Sequence, residues 1–244
     1  GFITADECTL YIDTSGAPLY QRGLRQKTVE APLKENVAAG IIRLSGWQPG
    51  MPLLDPMCGS GTFLTEAAQM ALNIAPGAGG RSFGFQRLKN FQLGVWKDML
   101  DEAMDAEKPA AFAGIYGSDI SPVSVRAALA NLDRAGLLPA VKLSSGDILE
   151  IEAPVRDEGE TCIMIANPPY GERLSEQEEL AAFYPQLGSA LKRNFAGWNC
   201  YLLTADMRMP KLMRLTPSKK TPLYNGAIEC RLFEFKMVAG SNRR

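Results

Sequence analysis

The four residues Asn167-Pro168-Pro169-Tyr170 have the composition of a site that holds an amino group. They follow the apolar run Cys162–Ala166, which predicts a buried strand that ends at this tetrapeptide. Each proline lacks an N–H group and has restricted dihedral angles, so the backbone offers fixed carbonyl acceptors beside the amide oxygen of Asn167. These acceptors suit the two N–H donors of an amino group on a nucleic-acid base, and the contacts strengthen as that nitrogen becomes positively charged in a reaction.

Tyr170 adds a flat aromatic face on which an extruded base can stack, a contact that contributes about 1 to 3 kcal/mol. Catalysis of this kind consists mainly of positioning the reacting atoms in line, which requires no histidine. A rigid turn at the end of a strand is the alternative interpretation of the tetrapeptide. A cysteine nucleophile is disfavoured, because a tyrosine follows the two prolines and neither Cys58 nor Cys162 lies in an evident activating environment.

A glycine-containing loop lies upstream, where residues 53–64 run from a predicted strand into a predicted helix. Gly59 and Gly61 allow a ligand to approach the backbone, and the start of the helix offers free N–H groups. Leu64 stands where a dinucleotide loop has its third glycine, and the lysine of a phosphate-binding loop is absent. The loop better fits a zwitterionic amino-acid group whose ammonium donates to Asp55. A tight turn without a ligand is the alternative.

Two more carboxylates follow predicted strands. Asp119 ends the run Ile115–Asp119 and can accept both hydroxyls of a ribose, and the alternative is that it caps the following helix. Asp147 follows the predicted strand 141–144 and can accept from the amino group of an adenine, with a polar turn as the alternative.

Strands alternate with helices from residue 51 to residue 204, which predicts a doubly wound, Rossmann-like α/β fold with a mostly parallel sheet. The predicted strands are 51–55, 115–119, 141–144, 162–166 and 199–204, and the predicted helices are 61–75, 121–136 and 180–195. Residues 226–231 and 232–238 are expected to add antiparallel edge strands.

The domain organisation follows from the same pattern. Residues 1–30 are expected to be a lead-in segment with a hairpin over 10–20, and residues 31–244 a single catalytic domain whose first helix begins near Pro32. Residues 77–113 are predicted to be an insertion packed beside the sheet, with a helix whose apolar side carries Phe91, Val95, Met99 and Met104. A start at Gly1, within sequence typical of a folded region, indicates a fragment of a longer protein.

Composition disfavours several classes of protein. The chain has no histidine, and its five cysteines lie 30 or more residues apart, so we expect no zinc site and no bound metal. A run of about 20 apolar residues and a signal peptide are both missing, which predicts no membrane association and a cytoplasmic location. The net charge of −1 does not by itself predict a polyanionic partner, although one basic group, either a nucleic-acid contact or a solvated face, comprises Arg208, Lys211, Arg214, Lys219 and Lys220.

Together these motifs resemble those of class I S-adenosylmethionine-dependent amino-methyltransferases. The chain is more specifically similar to the catalytic domain of the bacterial 23S ribosomal RNA guanine-N2 methyltransferases, which carry a THUMP RNA-binding domain ahead of it. The resemblance covers nearly the whole chain and rests on residues 18–23, 31–35, 55–62, 119, 147, 167–173 and 223–226. Asn-Pro-Pro-Tyr alone is shared with adenine-N6 enzymes, whereas the extension Gly171-Glu172-Arg173 and the flanking segments favour guanine.

The resemblance implies S-adenosylmethionine as cofactor, S-adenosylhomocysteine as product, large-subunit ribosomal RNA as partner, and a THUMP domain that is missing from this piece. It implies a catalytic group of Asn167, Pro168, Pro169 and Tyr170, and Pro32 and Leu33 as residues that close over the cofactor. The full set of expected cofactor contacts is Pro32, Leu33, Asp55, Cys58, Gly59, Gly61, Thr62, Asp119, Ile120, Asp147, Ile148 and Asn167.

The alternatives are adenine-N6 methylation of DNA or RNA, guanine-N2 methylation of tRNA, and a non-catalytic cofactor-binding subunit that binds RNA or acts as a scaffold. Every enzymatic alternative requires that the strand ends bearing Asp55 and Asn167 be neighbours.

Overall fold

A computed structural model describes residues 1–22, 33–77, 79–155, 157, 159–169 and 174–238. Within these ranges the strands are β1 (Phe2–Ile3), β2 (Cys8–Thr9), β3 (Leu53–Asp55), β4 (Ile115–Asp119), β5 (Val141–Ser145), β6 (Cys162–Ala166), β7 (Trp198–Thr204), β8 (Lys219–Asn225) and β9 (Ile228–Lys236). The helices of the described residues are α1 (Glu35–Leu44), α2 (Thr62–Ala71), α3 (Leu93–Asp105), α4 (Pro122–Arg134), α5 (Leu174–Asn194) and α6 (Met209–Met213), with short 3-10 turns at Gly84–Arg87 and Leu138–Ala140.

Seven of these strands form one sheet in the order β5-β4-β3-β6-β7-β9-β8. The first five are parallel, and β9 pairs antiparallel with both β7 and β8. The mostly parallel, doubly wound α/β fold with an antiparallel edge is therefore confirmed. From β3 the chain builds outward through β4 and β5, and it then returns to place β6 on the other side of β3. The strand order reverses between β3 and β6, which is where such sheets bind ligands.

The core lies in two buried clusters. One joins α1, α2 and α4 to the sheet and includes Ile41, Phe63 and Leu132. The other joins α5 and α6 to the sheet and includes Leu187 and Met213. All five residues of β6 are buried, as expected for a central parallel strand covered on two sides. Because the two sets of helices belong to different clusters, the helices that follow β3 and β6 depart from each other.

Local signals explain how the helices around the site begin. Gly61 precedes α2 with a φ of +85°, a left-handed conformation that favours glycine, and a Cβ there would lie 3.2 Å from the Cβ of Ala128 in α4. Ser121 caps α4 by accepting from the Ser124 N–H at 3.4 Å, and Pro122 is the first residue of that helix. The predicted start of α4 is thus confirmed.

The terminal hairpins differ from the prediction. The N-terminal hairpin pairs Phe2–Ile3 with Cys8–Thr9, whereas residues 10–20 contain no strand. Leu10, Tyr11 and Ile12 are exposed, so their apolar character does not mark a half-buried strand. At the other end, residues 226–231 and 232–238 are not two strands, because β9 is continuous and pairs with β8 across a turn at Gly226. Because Lys219 and Lys220 were assigned to a basic group, the partner strand β8 was not predicted.

The insertion contains the predicted helix but does not pack as expected. Val95, Met99 and Met104 of α3 are 52%, 56% and 62% exposed, so this apolar side does not face the sheet. The insertion instead has its own aromatic cluster, formed by Phe83, Phe85, Phe91 and Trp96.

The insertion is also tied to the lead-in segment. Arg81 donates to the carbonyl oxygens of Ser15 and Ala17, and the Phe85 N–H donates to the carbonyl of Thr14 at 3.1 Å. Residues 23–32 lie outside the described residues, so the proposed boundary between lead-in and catalytic domain near residue 30 stays a prediction.

Two helical glycines give a matched test of the packing. Gly188 in α5 is buried, and a Cβ there would collide with the carbonyl of Met213, whereas Gly40 in α1 has open space around its Cβ position. We expect Gly188→Ala to lower the free energy of unfolding by about 1 to 3 kcal/mol, because the two helices must separate. Gly40→Ala should raise it by about 0.5 to 1 kcal/mol, since glycine is a poor helix former. Urea unfolding measures both, and a neutral Gly188→Ala would contradict the close α5–α6 contact.

Candidate functional site

The ends of β3 and β6 are neighbours, as the sequence analysis required. The two strands pair in parallel with Leu53 opposite Ile163 and Leu54 opposite Met164. Asp55 therefore ends one strand and Asn167 follows its neighbour, at the same edge of the sheet. This carboxyl edge, defined here as the edge where β3 to β7 end, also receives Asp119 from β4.

The glycine loop after β3 is held by hydrogen bonds to the neighbouring strand and helix. The Cys58 N–H donates to the carbonyl of Ser118 in β4 at 2.9 Å, and the Gly61 N–H donates back to the Cys58 carbonyl at 2.8 Å. Asn131 of α4 donates its side-chain N–H to the carbonyl of Ser60 at 3.0 Å. The loop is therefore shaped by contacts within the protein, and its backbone lies between the ends of β3 and β4.

Asp55 is a buried carboxylate, 2% exposed, that accepts from the Met57 N–H at 3.2 Å. Burial raises its pKa well above the ordinary value, the Met57 hydrogen bond opposes this rise, and the nearby charge of Asp119 adds to it. Neighbouring positive charge would stabilise the ionised form of Asp55. The position thus favours a cationic group beside this carboxylate.

Cys58 lies in the same loop and is buried. Burial, followed by the charges of Asp55 and Asp119, raises the pKa of its thiol, which keeps it protonated near neutral pH. A thiol in this state is a poor nucleophile. This agrees with the interpretation that the site does not act through a cysteine adduct.

Asp119 has a role in the loop that the sequence analysis did not anticipate. Its Oδ2 accepts from the Gly59 N–H and its Oδ1 accepts from the Ser121 N–H, each at 2.9 Å. An ionised carboxylate has about four acceptor positions, so these two bonds leave room for hydroxyl donors. Asp119 therefore orders the glycine loop and can still accept from a diol. The adjacent Ile120 is 68% exposed.

Asp147 forms a turn after β5. Its Oδ1 accepts from the Leu149 N–H at 2.9 Å, which is the polar-turn alternative, and leaves further lone pairs on the carboxylate. The turn lies near Asp119, since the Gly146 N–H donates to the Asp119 carbonyl at 3.1 Å. Ile148 is only 3% exposed and belongs to a core cluster, so its side chain packs inward.

The structure describes most of the remaining predicted site residues but not all of them. Leu33 is buried in the cluster that also contains Cys58, and Thr62 is the first residue of α2. Pro168 is buried, Asn167 is half-buried and Pro169 is exposed. Pro32 and Tyr170 lie outside the described residues, so their roles stay predictions.

Several buried polar contacts were not predicted from the sequence, one at the glycine loop and one elsewhere in α2. The buried Asn131 was not singled out, although an asparagine at an otherwise apolar position of α4 was a visible signal. Arg22 and Glu66 form an ion pair at 3.1 Å, and Glu66 is 1% exposed within α2. The pairing joins residues 44 positions apart and has no local sequence pattern.

A cavity of 590 Å³ lies away from the carboxyl edge. It is lined by residues that include Arg43, Trp47, Glu66, Asn73 and Pro76, at and beyond the ends of α1 and α2. Because α2 returns from the end of β3 toward the opposite edge of the sheet, this cavity is separate from Asp55 and Asn167. We assign the candidate site to the carboxyl edge because the polar groups of several strand ends converge there.

Within the described ranges, no group of three or more histidine, cysteine, aspartate or glutamate side chains is arranged to hold a metal ion. Among the helices of the same residues, none has both the length and the apolar character needed to cross a bilayer.

Comparison with known proteins identifies the class. The sequence pattern of the UPF0020 family, described as an RMKL-like methyltransferase domain, matches residues 22–234. The chain belongs to this family of methyltransferase domains. The family expected from the motifs is thereby confirmed.

Curated relatives and solved structures agree with this assignment. The ribosomal RNA large subunit methyltransferases K/L of Shewanella frigidimarina and Shewanella loihica are 40% and 42% identical to the chain over 98% of its length. The chain spans about a third of the length of these relatives. Among solved structures, SMU.472, described as a methyltransferase complexed with SAH, matches 92% of the chain and 57% of its own with 34% identity and a TM-score of 0.82. A protein from Listeria monocytogenes described as a predicted N6-adenine-specific DNA methylase matches 91% of the chain and 56% of its own with 34% identity and a TM-score of 0.78.

The buried glutamate predicts a pH dependence of stability. Burial raises the pKa of Glu66 from 4.5 to about 7, with Arg22 opposing the rise and Glu35 adding to it. Between these values the folded state holds a proton that the unfolded state has lost, so stability should fall as the pH rises from about 4.5 to about 7, by up to about 3 kcal/mol. Glu66→Gln should give a flatter profile in urea unfolding from pH 5 to pH 8. The exposed Glu229→Gln is the control, and an unchanged slope in Glu66→Gln would show that the carboxyl is not the titrating group.

Proposed function

We propose that the chain transfers a methyl group from S-adenosylmethionine to the exocyclic N2 nitrogen of a guanine in 23S ribosomal RNA. The observation that carries the proposal is the adjacency of two strand ends at the point where the strand order reverses. One end bears Asp55 and the glycine loop, and the other bears Asn167-Pro168-Pro169. A cofactor held by the first end would lie beside a base held by the second.

The residues of the carboxyl edge fit S-adenosylmethionine. The raised pKa of the buried Asp55 favours a cationic partner such as an amino-acid ammonium. Asp119 retains acceptor positions for ribose hydroxyls, and Asp147 retains acceptor positions for an adenine amino group. When bound, the cofactor supplies an electrophilic methyl group on a sulfonium.

The other strand end supplies the grip on the base. Asn167 and the prolyl carbonyls are acceptors for the two N–H groups of an amino nitrogen, and Tyr170 supplies a stacking face. The rigid prolines hold these acceptors in place before the base arrives, which reduces the reorganisation needed in the transition state. Rate acceleration by the chain's residues then comes from alignment and from acceptors that favour the more positive nitrogen.

The names of the relatives support ribosomal RNA as the substrate, since the large-subunit methyltransferases match nearly the whole chain. Guanine is favoured by the resemblance of the flanking segments, while the Listeria structure keeps adenine N6 as the competing target. We further propose that a THUMP domain supplies most of the RNA affinity outside this chain, and that the protein acts in the cytoplasm on ribosomal RNA.

The proposal is tested by calorimetric titration with S-adenosylhomocysteine, followed by methyl-transfer assays on RNA substrates that carry either guanine or adenine as the only amino donor. We expect a heat of binding and labelling confined to guanine N2. Labelling confined to adenine N6 would replace the guanine assignment, and the absence of a binding heat would remove the cofactor assignment.

Asn167→Ala should abolish methyl transfer, because the amide oxygen is one of the acceptors for the amino nitrogen. Cofactor affinity should change little, since Asp55, Asp119 and Asp147 remain. Single-turnover assays and calorimetry give the two quantities. The exposed Asn90→Ala is the matched control, and equal turnover in Asn167→Ala and the parent chain would exclude the catalytic role.

Lys219 and Lys220 are exposed on β8, at the outer edge of the sheet. Lysines on an edge strand also prevent unwanted strand pairing, which is the competing explanation. We expect the double change to glutamate to weaken RNA binding, to reduce its salt dependence by about two units in the logarithmic slope, and to leave the affinity for S-adenosylhomocysteine unchanged. The same change at the exposed Lys89 and Lys97 is the control. If the Lys219 and Lys220 variant binds RNA as tightly as the control variant, the two lysines serve to prevent strand pairing at the sheet edge.

A further inference from the structure

The tip of the β8–β9 hairpin contacts the segment ahead of α1, 191 residues away in the chain. The backbone N–H of Lys34 donates to the side-chain Oδ1 of Asn225 at 3.2 Å. Asn225 is 7% exposed, so this hydrogen bond is largely shielded from water. Lys34 is the N-cap residue of α1 and its own side chain caps nothing, so Asn225 supplies the side-chain anchor at this position.

The side chain of Lys34 lies against the same turn. Gly226 has a φ of +71°, and a Cβ there would lie only 3.3 Å from the Lys34 Nζ. The ammonium also lies 4.5 Å from the ring centre of Tyr20, a cation–π distance. The backbone and the side chain of Lys34 are therefore both held in place, the first by Asn225 and the second by the turn and Tyr20.

The strand registers place this contact at the carboxyl edge. Thr204, the last residue of β7, is opposite Arg231 of β9. The part of the hairpin between Asn225 and Arg231 therefore extends beyond the end of β7, in the direction in which β3 and β6 also end. Leu33, next to Lys34, is buried in the same cluster as Cys58 of the glycine loop. The hairpin tip thus anchors a segment that belongs to the same core cluster as that loop.

We propose that Asn225 is a positioning residue of the cofactor site, which holds the Lys34 backbone so that Leu33 is fixed in the core cluster that it shares with Cys58 of the glycine loop. The inference rests on the proposed function, together with the resemblance, which implies that Leu33 closes over the cofactor. A segment that is already fixed loses less conformational freedom when the ligand binds. The amide oxygen of Asn225 acts through Lys34 and Leu33 and does not itself touch the reacting atoms.

Three variants of the hairpin separate this role from a general contribution to folding. Asn225→Ala removes the acceptor, and Asn225→Asp keeps it, with the nearby Lys34 ammonium to stabilise the added charge. Tyr224→Ala changes the neighbouring residue, which is 62% exposed, and is the control. Calorimetric titration with S-adenosylhomocysteine gives the dissociation constant and the binding stoichiometry, and hydrogen exchange reports on the Lys34 amide.

We expect Asn225→Ala to raise the dissociation constant about tenfold, with unchanged stoichiometry and faster exchange at Lys34. Asn225→Asp should restore the parental constant. Either a constant in Asn225→Ala that equals that of Tyr224→Ala, or a reduced stoichiometry at an unchanged constant, would overturn the inference alone. If the parent chain itself gives no binding heat, the proposed function fails and the inference fails with it.

Discussion

The parallel pairing of β3 with β6 is the contact on which the site depends. The helices that follow these strands pack into different core clusters, and doubly wound sheets bind ligands where the strand order reverses in this way. Asp55 ends β3 and Asn167 directly follows β6, so the two residues lie at the ends of adjacent strands. Both strands are deeply buried, so the register between them is fixed by packing and the separation of the two side chains is set by the sheet.

Hydrogen bonds across the strand ends then shape the glycine loop. The contacts from Ser118, Asp119 and Asn131 come from β4 and α4, so the loop conformation is determined mainly by neighbours that lie far away in the sequence. Asp55 remains a costly buried carboxylate in this arrangement, as its raised pKa indicates. Burial of this carboxylate thus lowers the stability of the fold, in an environment that suits a positively charged ligand.

The parallel core could be predicted from sequence because its signals are local. The strands Ile115–Asp119 and Cys162–Ala166 were predicted with their observed bounds, and Ser121-Pro122 marked the start of α4. The features that were missed depend on distant partners. Strand β8 was not recognised because its lysines disguise an edge strand, and the Arg22–Glu66 pair and the Asn131 contact leave no periodic pattern. The exposed side of α3 was misjudged because periodicity identifies an apolar helix face but not what covers it.

The attachment of the insertion to the lead-in segment has a consequence for protein engineering. Arg81 and Phe85 bind backbone groups of residues 14–17, and Gly84 packs so closely on Asp13 that a side chain there would collide with its carbonyl. These two parts of the chain therefore form one structural unit, although Arg81 lies 66 and 64 positions from its partners Ser15 and Ala17. Because the acceptors on residues 13–17 are backbone carbonyls, a chimaera that exchanges the insertion between homologous domains has to retain the arginine at position 81 and the glycine at position 84 rather than any particular side chain in residues 13–17.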